Sequence, residues 1–212
     1  MTANLHSKTD EKILCFRKDI LSKYLGTSQV FCDKNLWEHI LKNLEIIPRS
    51  QVEKDFRFKQ LVVYIIIKHS DTYLTYKRTE TREKMLKGKY SIGIGGHVND
   101  TDVNGIDKIQ PSLMKKKLIR AVWREINEEI EIKSKIISEP KLKCFINDDS
   151  DEVGKLHFGS VWLLKISEPK VSPKKGVGKI KFASLSELEM EKYRFLERWS
   201  QLLVKYNHFL RG

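Results

Sequence analysis

The sequence predicts an α/β protein with helices on both faces of a mixed sheet. The segment Phe58–Lys68 is rich in β-branched residues and shows no apolar–polar alternation, which is typical of a central strand covered on both faces. The segment Leu113–Ile132 contains neither glycine nor proline and has apolar residues at helical spacing. A second helical pattern follows Ser184, after several further strand-like segments.

The first quarter of the chain contains short predicted elements. We expect a strand at Ile13–Phe16, a helical turn at Lys18–Leu25 and a helix at Asn35–Leu44, which Ile47-Pro48 closes. A charged connector follows. We therefore divide the chain into a small N-terminal extension, residues 1–55, and a main domain, residues 56–212.

The main domain continues with alternating predicted elements. Strands are expected at Asp71–Lys77, Tyr90–Ile94, Lys141–Asn147, Lys155–Ile166 and Lys179–Ala183. Ser184 followed by Glu187 is typical of a helix N-terminus, and the pattern predicts one helix that runs to about Phe209.

The composition indicates a globular protein with an affinity for anions. The 212 residues include 40 Lys and Arg against 28 Asp and Glu, a formal net charge of +12, and 40% of them are apolar. Such an excess of positive charge favours nucleotides, phosphorylated metabolites or nucleic acid as partners, without choosing among them.

Cysteine usage and hydropathy predict a cytoplasmic protein. Cys15, Cys32 and Cys144 lie far apart and form no Cys-x-x-Cys pair, which argues against zinc and favours free thiols. The polar N-terminus lacks the apolar core of a signal peptide. The longest apolar run, Leu61–Ile67, is much shorter than the roughly 20 residues needed to cross a bilayer, so we expect no membrane segment.

Three glutamates share one face of the predicted long helix. Glu125, Glu128 and Glu129 are three and four residues apart, and like charges at this spacing destabilise an isolated helix by roughly 0.2–0.5 kcal/mol per pair. A hard divalent cation, Mg²⁺ above all, would compensate such a cluster. The alternative is an acidic face in water, which is what charge runs usually are.

The order of a strand, Gly-Gly-His-Val and a helix with Arg-Glu-Ile-Asn-Glu-Glu resembles the Nudix hydrolase family. The matching residues are Gly96, Arg124, Glu125, Ile126, Glu128, Glu129 and Ile132. The segment Lys59–Asp102 is also similar to a bacterial Nudix subgroup described as predicted phosphoesterases. The resemblance covers most of the chain and implies an α/β/α sandwich.

Three features depart from the family pattern. Asp102 stands where the family has a glutamate after the glycine, and an insertion from Val103 to about Ser112 separates it from Arg124. Glu131 stands where the family has a second glycine. The second half of the motif is therefore specific, while the first half is degraded.

The resemblance implies a role for each matching residue. The three glutamates would bind Mg²⁺, with Mn²⁺ as a second choice, and one of them could act as general base. The Gly96 carbonyl would be a further ligand, and Arg124 would hold the glutamates by ion pairs. Asp102 would replace the missing glutamate.

Residues outside the motif complete the predicted site. In this family the base can also come from a later loop, for which Glu152 is our first candidate and Glu189 our second; the alternative is that both are surface glutamates. The expected substrate contacts are Lys77, Arg78, Arg82, His97 and Asp102, since arginine can bind phosphate through two parallel hydrogen bonds. Ordinary surface charge is the alternative for the first three. We interpret His157 and Trp199 as core residues.

These observations predict a Mg²⁺-dependent hydrolase of a phosphoanhydride in a nucleoside diphosphate derivative or related nucleotide. The alternative is a catalytically weak nucleotide- or RNA-binding protein on the same fold, which the degraded first half of the motif and the basic composition suggest. The retained glutamate triplet favours catalysis. The expected partner is a phosphorylated small molecule; nucleic acid is favoured less, and a homodimer through the N-terminal extension is a further expectation.

Overall fold

The structure is a computed structural model that describes residues 11–24, 29–79, 86–104, 111–174, 176–190 and 196–211. Its strands are β1 (Lys12–Arg17), β2 (Val30–Phe31), β3 (Glu45–Pro48), β4 (Phe58–His69), β5 (Thr72–Arg78), β6 (Tyr90–Ser91), β7 (Gly93–His97), β8 (Ile130–Ile132), β9 (Ile136–Ile146), β10 (His157–Ile166), β11 (Val171–Pro173) and β12 (Val177–Ser184). Its helices are α1 (Lys34–Lys42), α2 (Arg49–Val52), α3 (Asp100–Val103), α4 (Pro111–Glu129), α5 (Glu152–Leu156), α6 (Leu185–Glu189) and α7 (Arg198–Lys205), with 3-10 turns at Lys18–Lys23 and Asn207–Leu210.

The main sheet is mixed and is organised around β4. Its longest path runs β12-β5-β4-β10-β9-β2. Strand β4 pairs in parallel with β10, and in antiparallel fashion with β1, β7 and β5 at successive positions along its length. A separate ribbon joins β8 and β11. The central position of β4 explains its apolar run, Leu61–Ile67.

Helices cover both faces of the sheet, so the predicted sandwich is confirmed. Successive side chains of a strand point to opposite faces. Val63 and Ile65 of β4 therefore belong to one hydrophobic cluster, together with Leu118 of α4. Ile66 belongs to a second cluster, which contains Leu202 of α7.

The N-terminal segment adds strands to the same sheet. Strand β1 pairs with β4 from Cys15 to Arg17, and β2 pairs with β9. Ile13 and Leu14 are fully buried. The proposed boundary after residue 55 stays a prediction, and residues 1–10 lie outside the described part of the chain.

Two predicted helix ends are wrong. The long helix ends at Glu129 because Ile130–Ile132 pairs with β11 instead of adding another helical turn. The single helix predicted from Ser184 is two helices, since Met190 and Glu197 both have extended backbone conformations. The capping box at Ser184 is confirmed. For the long helix, apolar spacing alone continued the prediction past the point where pairing with β11 ends the helix.

The residues that follow α5 and those that follow α3 also differ from the prediction. The strand expected from Lys155 begins at His157, because α5 occupies the preceding residues. The expected insertion after Val103 begins with Asn104 in the left-handed region at a φ of 50°. Residues 105–110 of this insertion lie outside the described residues, and α4 starts at Pro111.

Candidate functional site

Two consecutive glycines bring the backbone of β7 against its neighbours. Gly95 has a φ of +142°, and a Cβ there would lie 2.0 Å from the Val63 carbonyl oxygen. A Cβ on Gly96 would lie 2.7 Å from Glu125 Oε1. Residues with a side chain cannot occupy these positions without moving the strand or the carboxylate. The glycine pair therefore allows the glutamate face of α4 to approach the strand.

Arg124 connects the glutamate face to the glycine turn. Its Nη1 donates to Glu125 Oε1 at 2.6 Å and to Glu128 Oε1 at 3.2 Å. Its Nη2 donates to the His97 carbonyl oxygen at 2.8 Å. One guanidinium group thus fixes two carboxylates relative to the strand that carries Gly96.

Asp102 anchors this arginine. Its carboxylate is 4% exposed and accepts from Arg124 Nε and Nη2, both at 2.9 Å. Its Oδ2 also accepts from the Asn99 N–H, which closes the capping box of α3. Asp102 is therefore a partner of Arg124. It does not line the cavity described below, so the structure gives no support to its predicted contact with substrate.

The three glutamates differ in their surroundings. Glu125 is 7% exposed, whereas the Glu128 side chain is 56% exposed. Glu129 accepts a hydrogen bond from the Gly95 N–H, and its Oε2 is buried without a hydrogen-bond partner among the described residues. The structure thus brings Glu125 and Glu129 against the glycines and leaves Glu128 beside Arg124. Within the described ranges no three acidic, His or Cys side chains converge into a complete metal site.

Burial changes the protonation of the two inner glutamates. It raises the pKa of Glu125 to about 7, with Arg124 acting in the opposite direction. It also raises the pKa of Glu129 to about 7, opposed by Arg78 and by the Gly95 N–H. A nearby cation would favour the ionised forms of both. Carboxylate oxygens are ligands that a hard divalent cation prefers. Oε2 of Glu129 has no hydrogen-bond partner among the described residues, so a cation could bind this oxygen without breaking a hydrogen bond.

Because burial raises the pKa of both glutamates, the stability of the metal-free protein should depend on pH. Both carboxylates have a pKa of about 7 in the folded chain, above the ordinary value of 4.5. Between pH 4.5 and about pH 7 the folded chain therefore binds more protons than the unfolded chain. The free energy of unfolding should therefore fall as pH rises from about 4.5 to about 7, by roughly 1.4 kcal/mol per pKa unit of difference. Below this window both states are protonated and the contribution is constant.

Urea unfolding at several pH values in EDTA measures this effect. The control is the double variant Glu125→Gln/Glu129→Gln, which should show a flatter profile over the same window. Parallel profiles for the two proteins would contradict the prediction.

A cavity of about 280 Å³ opens beside the glycine pair. Among the predicted site residues, its wall includes Arg78, Gly96, His97 and Glu129. Further wall residues are Arg49, Asp151, Val153, His157, Glu197 and Trp199. The cavity therefore joins the motif to residues from the N-terminal and C-terminal parts of the chain.

The other predicted cationic contacts are not brought to this cavity. Lys77 is exposed, since it precedes Arg78 in β5 and points to the opposite face of the strand. Arg82 lies outside the described residues.

The two late glutamates are likewise not on the cavity wall. Glu152 is exposed in the first turn of α5, and Glu189 is exposed and accepts from Asn207 at 3.3 Å. The late carboxylates that do line the cavity are Asp151 and Glu197. Asp151 caps α5 through the Gly154 N–H at 2.7 Å. Sequence reasoning missed both, although the Asp-x-x-Gly spacing is a recognisable capping signal.

Glu197 is the acceptor of a buried network. It is 3% exposed, and its Oε2 accepts from Arg78 Nε at 2.8 Å. Its Oε1 accepts from the Tyr64 hydroxyl at 2.6 Å and lies 2.5 Å from Ser91 Oγ. Arg78 is thus fixed by a carboxylate 119 residues further along the chain, a pairing that no local pattern indicates.

A histidine pair forms another part of the wall. His157 Nδ1 lies 2.6 Å from the Val153 carbonyl oxygen and so carries the proton. Burial lowers the pKa of His157 to about 4, so this ring is neutral at pH 7 and its Nε2 is an acceptor. His97 Nε2 lies 3.1 Å from it and 2.7 Å from Gln60 Oε1, so its single N–H can donate to one acceptor or the other. His157 is buried, as expected of a core histidine, and it also lines the cavity.

A fully buried lysine anchors the wall formed by α5. Lys59 Nζ donates to Asp149 Oδ1 and to the Gly154 carbonyl oxygen, both at 2.6 Å. The adjacent Asp148 accepts from Arg198 Nε at 2.7 Å. Ion pairs of Asp148 and Asp149 therefore anchor the acidic turn before α5, although Asp149 itself is exposed.

A relative of known sequence matches nearly the whole length of this chain. No family model matches the sequence. Protein YmaB of Bacillus subtilis (strain 168) is 32% identical over 208 residues, which cover 93% of this chain and 97% of that protein.

No described helix has the length and apolar character needed to cross a membrane.

Solved structures share the fold at lower identity. Tm1382, a candidate Nudix hydrolase, is 24% identical with a TM-score of 0.72, covering 95% of this chain and 100% of that one. A bifunctional NMN adenylyltransferase/ADP ribose pyrophosphatase from Francisella tularensis, complexed with AMP and a Mn ion, is 14% identical with a TM-score of 0.50, covering 73% and 42%. The chain therefore belongs to the same family as YmaB and has the fold of the Nudix hydrolases.

Proposed function

We propose that this protein is a Mg²⁺-dependent hydrolase of a phosphoanhydride bond in a nucleoside diphosphate derivative or related nucleotide. The observation that carries the proposal is the Glu129 carboxylate, which lies on the cavity wall with one buried oxygen that has no hydrogen-bond partner among the described residues. A buried carboxylate without full compensation destabilises a fold. A ligand that binds in the cavity and supplies positive charge accounts for its position.

Three groups would hold the cation. Glu125 and Glu129 would be carboxylate ligands, with the Gly96 carbonyl as a third, and the exposed Glu128 could join them. Mg²⁺ takes few protein carboxylates and keeps several waters, which suits this small set. When bound, the ion neutralises phosphate charge and lowers the pKa of a bound water. The Mn ion in the Francisella enzyme, which shares the fold, supports Mn²⁺ as a substitute.

The substrate phosphates would contact Arg78. Its guanidinium lies on the cavity wall and is fixed by Glu197, so it can bind phosphate oxygens with little loss of side-chain freedom. Arg124 has a different task. It orients Glu125 and Glu128 through its own hydrogen bonds, and such supporting partners are needed for a well-defined ligand geometry.

One of the two inner glutamates would accept the proton of the attacking water. Burial raises the pKa of both in the absence of a cation, and a bound cation would favour the ionised form that can accept a proton. The rest of the wall suits the remaining part of a nucleotide. Trp199 and Val153 offer apolar surface, and His97 offers a polar ring edge. The AMP bound to the Francisella enzyme supports a nucleotide as the class of ligand.

Product release from a panel of nucleoside diphosphate derivatives tests the proposal. We expect release of nucleoside monophosphate or of a phosphorylated product with Mg²⁺ or Mn²⁺, and no release in EDTA. Turnover that is unaffected by EDTA, or no turnover of any compound, would contradict a metal-dependent hydrolase. Nucleotide or RNA binding without turnover, with RNA affinity that falls steeply with salt, would instead support the alternative binding protein.

A further inference from the structure

Two opposite charges lie on the same cavity wall without forming an ion pair. Arg78 and Glu129 both line the cavity. Arg78 lies close enough to lower the pKa of Glu129, although burial is the larger influence and raises it. In the described chain, however, the ion pair of Arg78 within 4.0 Å is with Glu197, and Glu129 Oε2 has no hydrogen bond.

Glu197 binds one edge of the guanidinium group. Its carboxylate accepts from Arg78 Nε at 2.8 Å and from Nη2 at 3.5 Å, an arrangement in which Nη1 takes no part. Opposite charges in a buried pair attract strongly because the surroundings screen them little. This ion pair therefore fixes the orientation of the Arg78 guanidinium group.

The carboxylate of Glu197 is itself held in place by several elements. The Tyr64 hydroxyl of β4 donates to it at 2.6 Å, and Ser91 of β6 contacts it at 2.5 Å. The Glu197 N–H donates to the Tyr90 carbonyl oxygen at 2.8 Å. Ser200 Oγ accepts from the Ile92 N–H at 3.0 Å. The start of α7 is thus attached to the loop that leads into the glycine pair.

Without the negative charge of Glu197, the largely buried Arg78, whose side chain is 16% exposed, would lack its carboxylate partner. A buried charge without a partner is strongly unfavourable. Glu129 is the nearby wall carboxylate with an unused oxygen, so a rearranged Arg78 would be expected to pair with it. That pairing would occupy the oxygen that a cation needs.

We propose that Glu197 is a positioning residue that holds Arg78 away from Glu129, which keeps the Glu129 carboxylate available to a divalent cation and Arg78 available to phosphate. This inference rests on the proposed function, because it takes Glu129 as the cation ligand. It assigns to the C-terminal segment a part in assembling the site.

Binding of Mn²⁺ alone, followed by electron paramagnetic resonance of the free ion, tests this role without substrate. The variant Glu197→Gln keeps the shape of the side chain and removes its charge. We expect its affinity for Mn²⁺ to be roughly 10- to 100-fold weaker, the range found when supporting partners of metal ligands are changed. Glu131→Gln is the matched control, since it removes one charge from an exposed glutamate in β8 and should leave the affinity unchanged.

Replacing Arg78, the side chain that would compete with Mn²⁺ for Glu129, distinguishes a positioning role of Glu197 from its other possible roles. The double variant Glu197→Gln/Arg78→Gln should regain the wild-type affinity, and Arg78→Gln alone should bind Mn²⁺ at least as tightly as the wild type. The single Arg78 variant keeps the test valid if Glu197→Gln does not fold.

Three outcomes would overturn the inference. Unchanged affinity in Glu197→Gln shows that Arg78 does not compete. A loss that the double variant does not restore assigns Glu197 to the ligands or to the scaffold. Weaker binding in Arg78→Gln contradicts competition directly. Failure of the proposed function is a separate result, in which the wild type binds no Mn²⁺ or Glu129→Gln binds it normally.

Discussion

Glu129→Gln is expected to lower kcat on any substrate of the wild type by at least about 100-fold, because charge stabilisation by a metal ion amounts to several kcal/mol. The same substitution should leave the free energy of unfolding unchanged or raise it at pH 7. Glutamine fills the same space and removes a carboxylate whose pKa is raised to about 7 by burial. Steady-state kinetics and urea unfolding in EDTA measure the two effects.

Glu128→Gln provides the comparison for this prediction. Glu128 is exposed and hydrogen-bonds only Arg124 among the described residues, so we expect a smaller loss of activity and no change in stability. An equal loss for both variants would show that the three glutamates act as one unit. A strongly destabilised Glu129→Gln would mean that the carboxylate serves the fold and not a ligand.

Arg124→Met is expected to lower the free energy of unfolding by about 3–5 kcal/mol, the cost of leaving one member of a buried ion pair without its partner. Asp102 is 4% exposed and receives both of its guanidinium hydrogen bonds from this arginine. The His97 carbonyl oxygen and Glu125 would lose a donor as well. Urea or thermal unfolding provides the measurement.

A double-mutant cycle isolates the pair. Arg124→Met/Asp102→Leu should lose less stability than the sum of the two single variants, because the buried Asp102 carboxylate is no longer left without its partner. Arg57→Met is a matched control: Arg57 pairs with Asp55 at the surface, with a side chain that is 74% exposed, and its removal should have no measurable effect. Additive losses would show that Arg124 and Asp102 stabilise the fold independently.

Local sequence patterns were enough to predict the central layers of the fold. The apolar run of β4 reflects burial on both faces, and the spacing of Val122 and Ile126 reflects one buried face of α4. These signals are local because strand and helix periodicity follow from the backbone itself. The same reasoning failed where the helix became β8, since pairing with β11 depends on residues 39 to 43 positions away.

The predicted site residues that line the cavity are Gly96 and Glu129 of the motif, together with Arg78 and His97. Glu125, Glu129, Gly96 and Arg124 are close in sequence or belong to one recognisable pattern. Asp151 and Glu197 were missed because a carboxylate in a late loop looks the same in sequence whether it faces water or a cavity. Glu152 and Glu189 were chosen on that basis, and both are exposed.

The sequence by itself determined the α/β class, the long helix and the row of like charges that made a cation the expected ligand, because each depends on neighbours within a few residues. Tertiary structure decided that Asp102 would hold Arg124, that Glu128 would turn outward, and that Glu197 would pair with Arg78. The physical reason is that such pairs depend on burial and on contacts between separate helices and strands. Neither is recorded in the spacing of residues along the chain.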